Sequence, residues 1–200
     1  MINTIIFDFG DIFINLDKHA SVTAFKSLGL AEWNDELEQL NLQFETGKIS
    51  REDFLLGIQK HIPTASITQI TAAWNAILLD FPLYRLEFLQ MLSQKYRLFL
   101  LSNTDAIHIE NFEQTNGVSF YSDFYQCFEK VYFSFELGTR KPNPETFNHL
   151  INNHELAPKR TLFVDDKKEN TDAALALGFE VWNLQVGKED VIHLLDKKII

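Results

Sequence analysis

Residues 4–13 read TIIFDFGDIF, and in this stretch an acidic residue, Asp8, directly follows a short apolar run. A short apolar run bounded by turn and polar residues is typical of a strand buried in the middle of a sheet. Asp8 then stands at the end of that strand, where a purely structural sheet needs no charge. We therefore predict a first strand over Thr4–Phe9 and treat Asp8 as a candidate functional residue.

Four further segments are dominated by aliphatic and aromatic residues and are also predicted to be strands: Arg97–Ser102, Lys130–Phe133, Thr161–Val164 and Glu180–Leu184. Stretches with helical periodicity separate most of them. Asn143 followed by Pro144 indicates one helix start, because Asn caps helices and Pro fits their first turn. Strands that alternate with helices predict an α/β fold, with a Rossmann-like parallel sheet covered by helices on both faces.

The interval from residue 17 to residue 81 breaks this alternation, because it has helical patterns and no convincing strand. Apolar residues recur there at helical spacing, as in Ile67, Ile70, Trp74, Ile77 and Leu78. We therefore predict an α/β core formed by residues 1–16 and 82–200. Residues 17–81 are predicted to be an all-helical cap inserted after the first strand.

Composition and charge restrict the classes of partner. The chain has 200 residues and a formal net charge of −10, which disfavours binding to nucleic acid or to an anionic membrane. The single cysteine, Cys127, is consistent with a reducing compartment. The N-terminal residues lack the basic region of a signal peptide, and no apolar stretch approaches the roughly 20 residues that span a bilayer. A cytoplasmic protein is expected, and its oligomeric state is left open.

Polar residues also follow other predicted strands. Ser102 and Asn103 end the run YRLFLLSN, and Asp165 and Asp166 end the run TLFVDD. Lys141, in GTRKPNPETF, precedes a predicted helix start. Ligands of parallel sheets bind beyond the carboxyl ends of the strands, so we expect these side chains to converge at one edge although they are far apart in sequence.

Such a convergence has a chemical meaning. Three carboxylates cannot all stay ionised side by side without a cation, and hard oxygen ligands suit Mg²⁺. A serine hydroxyl, a backbone N–H and a lysine ammonium can hold the outer oxygens of a phosphate group. A carboxylate in line with the phosphorus can attack it and form an acyl-phosphate that water then hydrolyses.

The order of these motifs resembles that of the haloacid-dehalogenase-like hydrolase superfamily. Four segments (FDFG, LLSNTDAIH, RKPNPETF and VDDKKENTDAALALG) are similar in sequence to the motifs of one branch of that superfamily. This branch contains glucose-1-phosphate phosphatase and the N-terminal phosphatase domain of soluble epoxide hydrolase. The helical interval resembles the cap of that superfamily. The resemblance spans the whole chain and implies a Mg²⁺-dependent phosphatase of a small phosphorylated metabolite.

The resemblance also implies a role for each acidic residue. Asp8 would be the nucleophile, which carries an aspartyl-phosphate intermediate, and also a metal ligand. The backbone carbonyl of Gly10 would be a second ligand. Asp166 would bind the metal directly, with Asp165 beside it as an outer-shell or alternative ligand.

The other motif residues would hold the phosphate. By the same resemblance, the Ser102 hydroxyl and the Asn103 N–H would bind the phosphoryl oxygens. Lys141 would neutralise Asp8 and the transferring group. His108 comes shortly after Ser102 and Asn103 and is a minor candidate for the site.

Gly10 is a departure from the usual pattern. Most phosphatases of the superfamily carry a second Asp two residues after the nucleophile, which protonates the leaving oxygen and then activates water. Gly10 has no side chain for this, and general acid–base help is typically worth ~10²–10⁴ in rate. Asp11, one residue further on, either takes over part of that role or has a structural job in the turn.

Three other functions compete with the phosphatase interpretation. A haloacid dehalogenase also lacks the second Asp and needs no metal, but the pair Asp165–Asp166 would repel its anionic substrate. A catalytically weak relative that binds a phosphorylated ligand or a protein partner stays open because of Gly10. A receiver-like switch has its acid pair at the first strand and its nucleophile at the third, which is the reverse of the order here.

Overall fold

The computed structural model describes residues 1–200 and contains a five-stranded parallel sheet with the strand order β3-β2-β1-β4-β5. The strands are β1 Thr4–Phe7, β2 Arg97–Ser102, β3 Lys130–Phe133, β4 Thr161–Asp165 and β5 Glu180–Asn183. All five predicted strands are present, with ends that differ by no more than two residues. The predicted α/β class is confirmed.

Nine α-helices accompany the sheet: α1 Ala20–Ser27, α2 Asp35–Glu45, α3 Arg51–Gln59, α4 Ile67–Asn75, α5 Leu83–Ser93, α6 Ala106–Gln126, α7 Ser134–Leu137, α8 Pro144–His154 and α9 Lys168–Ala176. Two 3-10 helices cover Pro158–Arg160 and Val191–Lys197. Helix α8 starts as predicted, since the Asn143 side chain accepts a hydrogen bond from the Glu145 N–H. No helix is both long and apolar enough to cross a membrane.

The central strand shows why both faces of the sheet are covered. Ile5 and Phe7 point to one face, where they pack with residues of α5 and α6. Ile6 points to the opposite face, where it packs with Phe147 and Leu150 of α8. Ile5, Ile6 and Phe7 are all fully buried, which is the pattern of a strand enclosed between two layers of helices.

Helices α1–α4 form the insertion between β1 and α5, and they have their own hydrophobic core. Thirteen buried residues belong to it, among them Phe25, Phe54 and Trp74, and all but Ile107 of α6 come from the insertion. The all-helical character of the interval therefore agrees with the prediction. Its boundaries at residues 17 and 81 stay a prediction.

The two segments that connect the insertion to the sheet layer are bonded to each other. The Asn15 N–H donates to the Asp80 carbonyl at 2.9 Å, and the Leu79 N–H donates to the Asn15 carbonyl at 2.9 Å. Leu16 and Leu78 form an isolated antiparallel bridge between the segments. We call residues 15–17 and 77–80 the paired linkers.

The paired linkers correct one detail of the sequence interpretation. Ile77 and Leu78 follow the helical spacing of Ile67, but α4 ends at Asn75. The Ile77 carbonyl instead accepts the Asp17 N–H at 2.8 Å, so pairing with the other linker takes the backbone groups that a helix would use. The helical assignment of these two residues was wrong.

Candidate active site

The register of the sheet brings the first and last acidic motifs together. Phe7 of β1 pairs with Val164 of β4, and the Asp8 N–H donates to the Val164 carbonyl at 2.9 Å. Asp8 and Asp165 therefore leave two neighbouring strands at the same edge. β2 lies on the other side of β1 and ends at this edge with Ser102.

Three carboxylates and one ammonium group meet there. Asp8, Asp165 and Asp166 each offer an oxygen, and these oxygens lie within 4.8 Å of one another. Lys141 Nζ donates to Asp8 Oδ1 at 2.8 Å and to Asp165 Oδ2 at 2.7 Å. The Lys141 side chain is only 1% exposed, so its charge is neutralised by these two carboxylates and hardly by solvent.

Burial dominates the electrostatics of this cluster. It raises the pKa of Asp8 to about 7, Lys141 opposes the rise, and the nearby charges of Asp165 and Asp166 add to it. Burial alone would lower the pKa of Lys141, but Asp165 and Asp8 outweigh it and raise that pKa. The negative charge around Asp8 thus exceeds what one lysine balances, and a further cation would stabilise the ionised carboxylate.

The two neighbouring acids have different surroundings. Asp165 accepts hydrogen bonds from the Lys167 N–H at 2.8 Å and from Asn170 Nδ2, in addition to Lys141. Asp166 lines the cavity described below and accepts from Lys18 Nζ at 3.1 Å. Protein groups therefore occupy both oxygens of Asp165, whereas Asp166 faces the open space.

Ser102 and Asn103, which follow β2, support the cluster in two ways. Ser102 is buried and lines the cavity. The Asn103 side chain bonds the Lys141 backbone in both directions, donating from Nδ2 to the carbonyl at 2.8 Å and accepting the N–H on Oδ1 at 3.0 Å. Asn103 thereby fixes the segment from which the Lys141 side chain extends.

Gly10 lines the cavity, but Asp11 does not. The Asp11 carboxylate accepts the Leu16 N–H at 3.2 Å and lies 2.8 Å from Lys18 Nζ. Asp11 also has a φ of 58°, a left-handed conformation that Asp tolerates better than most residues. These contacts place Asp11 in the turn after β1, with its carboxylate directed at Lys18 and at the backbone.

The cavity has a volume of about 310 Å³ and lies between the sheet edge and the insertion. Its apolar wall is formed by Phe9, Ile14, Leu16, Ile77, Leu78 and Ile109. The polar lining residues that the motifs do not assign to the site include Lys18, Glu45, Thr104 and Lys167, and His108 was only a minor candidate. Lys167 follows the acid pair directly, whereas nothing in the local sequence marks Glu45 or Lys18.

The donor set fits a divalent hard cation. Every atom that faces the cluster from the three acids is an oxygen, and Mg²⁺ prefers oxygen ligands. Asn170 also lines this cavity, and its Oδ1 atom is buried and has no hydrogen-bond partner in the protein. A buried carbonyl oxygen without a donor is unusual, and a hydrated cation would supply one.

Comparison with known proteins places this site in a family. Residues 5–184 match the haloacid dehalogenase-like hydrolase family, and the chain belongs to it. The matched region runs from the second residue of β1 past the end of β5, and it includes every acidic residue of the cluster.

Individual relatives cover almost the whole chain. The D-ribitol-5-phosphate phosphatase of Bacteroides thetaiotaomicron is 30% identical over 94% of this chain and 95% of that protein. The structure of a haloacid dehalogenase family enzyme from the same organism, in complex with magnesium and inorganic phosphate, has a TM-score of 0.85 at 34% identity, over 94% of this chain and 97% of that chain. L-2-haloacid dehalogenase from Xanthobacter autotrophicus, with a TM-score of 0.62 and 17% identity over 100% of this chain and 84% of that chain, shares the fold alone.

Proposed function

We propose that this chain is a Mg²⁺-dependent phosphatase of a small phosphorylated metabolite, with Asp8 as its nucleophile. The observation that carries the proposal is the meeting of Asp8, Lys141, Asp165 and Asp166 beside a cavity at the edge of the sheet. The relatives support it, since a D-ribitol-5-phosphate phosphatase is among them and a haloacid dehalogenase family enzyme of the same organism was crystallised with magnesium and phosphate.

Asp8, Asp166 and the carbonyl of Gly10 would hold the Mg²⁺ ion. Asp165 would lie in the outer shell of the ion and would not bind it directly, because its oxygens already accept hydrogen bonds from Lys141, Asn170 and the Lys167 N–H. When bound, the ion supplies positive charge that neutralises the phosphoryl oxygens and keeps Asp8 ionised.

The chemical steps are assigned to side chains of this chain. An Asp8 oxygen attacks phosphorus and forms a bond to it, while the bond from phosphorus to the leaving alcohol breaks. Lys141 stabilises the charge on the transferring group, and Ser102 with the Asn103 N–H holds its oxygens. Water then hydrolyses the aspartyl-phosphate, which restores the Asp8 carboxylate and releases inorganic phosphate.

The turn after β1 places no side chain in the cavity that could protonate the leaving oxygen. Gly10 has none, and the Asp11 carboxylate is bound by the Leu16 N–H and Lys18 outside the cavity lining. We therefore assign this proton to water in the cavity and a structural role to Asp11. An enzyme without a dedicated acid is expected to be slow on alcohols that leave poorly.

The dehalogenase alternative is disfavoured by the same cluster. A 2-haloacid carries a carboxylate next to the carbon under attack, and Asp166 faces the space that it would enter. Without a cation, these two negative charges would repel each other. The cytoplasmic location stays a prediction, and so does the absence of nucleic-acid and membrane partners.

A phosphate-release assay over a panel of phosphorylated metabolites, with and without Mg²⁺, tests the function. We expect release that requires Mg²⁺ and falls at least ~10³-fold in Asp8→Asn, because the nucleophile is lost. Asp172→Asn is the matched control, since Asp172 is an exposed acid that pairs only with Lys168. Full activity in Asp8→Asn, or activity that EDTA leaves unchanged, would contradict the proposal.

A further inference from the structure

One carboxylate of the cavity is not used by the chemistry above. Glu45 is the last residue of α2 in the insertion, yet it lines the same cavity as Asp8 and Lys141. Its side chain is 17% exposed. Its Oε2 atom is buried against Arg140 Nη1, an ion-pair partner 2.7 Å away, whereas its Oε1 atom accepts no hydrogen bond from the protein.

An acceptor on a largely buried side chain is rarely left unfilled in a folded protein. Burial raises the pKa of Glu45, while Arg140 opposes the rise. The carboxylate therefore lies where water solvates it poorly and where Arg140 pairs with one of its two oxygens. A hydrogen-bond donor that enters the cavity would bind the other oxygen.

The position of Glu45 indicates which part of a substrate would reach it. The phosphate group must lie at the sheet edge, beside Asp8, Ser102 and Lys141. Glu45 comes from the insertion, so it faces the part of the substrate that remains, which is the leaving alcohol. A cavity of about 310 Å³ is at the small end of the ~300–1,000 Å³ range of ligand sites, so that alcohol must be small.

Charge indicates which donor is favoured. A second phosphate or a carboxylate on the leaving group would be repelled by Glu45. An ammonium group would be repelled by Lys18 and Lys167, which line the same cavity, and by Arg140 beside Glu45. A neutral hydroxyl group can donate a hydrogen bond to Glu45, and it is repelled neither by this carboxylate nor by the positively charged side chains.

We propose that Glu45 is a specificity-determining residue that accepts a hydrogen bond from a hydroxyl group of the leaving alcohol, so that the enzyme selects phosphate monoesters of small neutral polyhydroxylated alcohols. This inference rests on the proposed phosphatase function. It adds a named residue from the insertion and a class of leaving group to that function.

The test compares two substrates of equal chain length. Ribitol 5-phosphate carries hydroxyl groups along its five carbons, whereas pentyl phosphate has none. The quantity measured is the ratio of kcat/KM for ribitol 5-phosphate to kcat/KM for pentyl phosphate. Glu45→Leu removes the acceptor, and Glu45→Gln keeps a weaker one of the same shape, so a variant that folds is available. Glu36→Gln is the control, because this glutamate of the same helix has a side chain that is 75% exposed.

We expect the ratio to fall about 10-fold or more in Glu45→Leu and by less in Glu45→Gln, because a hydrogen bond to a charged group is lost or weakened. Glu36→Gln should keep the wild-type ratio. An unchanged ratio in both Glu45 variants would overturn the inference and leave the phosphatase function intact. Absence of Mg²⁺-dependent release from p-nitrophenyl phosphate by the wild-type enzyme would instead overturn the function itself, and the inference with it.

Discussion

His108 Nδ1 lies 2.9 Å from Asp105 Oδ2 in the structure, and its Nε2 lies 3.1 Å from the Trp74 carbonyl oxygen. Both partners are hydrogen-bond acceptors, so both contacts are hydrogen bonds only when the ring carries both protons, and the charge of Asp105 favours that form by raising the pKa of His108. Trp74 Nε1 also donates to Asp105 Oδ2 at 3.1 Å, and the two rings stack with centroids 5.0 Å apart. This trio joins α4 of the insertion to the start of α6.

The trio predicts a dependence of stability on pH. Burial alone would lower the pKa of His108, but the negative charge of Asp105 has the larger effect and raises it. Burial alone would raise the pKa of Asp105, but the contacts with His108 have the larger effect and lower it. The histidine contribution is therefore complete below its unfolded pKa of ~6.5 and is lost as pH rises through the raised folded value. The aspartate contribution is present above ~3.9 and is lost as pH falls through the lowered folded value.

His108→Gln should lower the free energy of unfolding by about 2 kcal/mol between roughly pH 4 and pH 6.5. The difference from wild type should shrink at higher pH, because the native histidine then loses its charge as well. Urea unfolding at a series of pH values measures this, with the exposed His19→Gln as control. A difference that stays constant from pH 5 to pH 10 would show that the charge of His108 plays no part.

The unequal surroundings of the two acids after β4 predict unequal effects of removing their charge. Asp165→Asn should cost about 3 kcal/mol or more of stability, because buried Lys141 loses a partner. Asp166→Asn should cost under ~1 kcal/mol, because its partner Lys18 is 54% exposed and solvent screens the pair. Asp166→Asn should instead raise the Mg²⁺ concentration for half-maximal activity at least ~10-fold, since a proposed ligand loses its charge.

Unfolding curves without metal and Mg²⁺ titrations of phosphate release separate these two effects. Asp172→Asn again provides an exposed acid on the following helix as reference. The assignment of the two roles would be reversed if Asp165→Asn changed mainly the Mg²⁺ requirement and Asp166→Asn mainly the stability.

Asp11→Asn distinguishes a structural residue from a general acid. A general acid is worth ~10²–10⁴ in rate, so its loss should show in kcat on an alkyl phosphate. We expect kcat to fall less than ~10-fold, with a stability loss of about 1 kcal/mol from the weakened bonds to the Leu16 N–H and Lys18. A fall of ~10³-fold in kcat, together with a shifted pH–rate profile, would assign the acid role to Asp11 after all.

The acidic cluster could be predicted from the sequence because its geometry follows from a general rule. Asp8 and Asp165 each end an apolar run, and parallel strands bring such ends to one edge. The sheet then fixes their proximity through backbone pairing, and no detail of side-chain packing is required. The strand ends were predictable for the same reason, since apolar runs mark where strands are buried.

The rest of the cavity could not be predicted, because it depends on how the insertion packs over the sheet edge. His108 contacts the Trp74 carbonyl across 34 positions of sequence, and neither local pattern indicates the other. Glu45 looks in the sequence like an ordinary acid on a helix surface, and only the folded insertion places it near Arg140. Ile77 and Leu78 were misassigned because linker residues that face a cavity can follow helical spacing by coincidence.

The paired linkers have a consequence for how such a protein can change. Because residues 15–17 and 77–80 are bonded to each other, the chain leaves and re-enters the sheet layer at a single point of attachment. We therefore expect that a change in the length of the segment between them would leave the register of β1 against its neighbours unchanged. The paired linkers also contribute Leu16, Ile77 and Leu78 to the lining of the cavity. If a different insertion replaced this one, these three residues would still form part of the cavity lining.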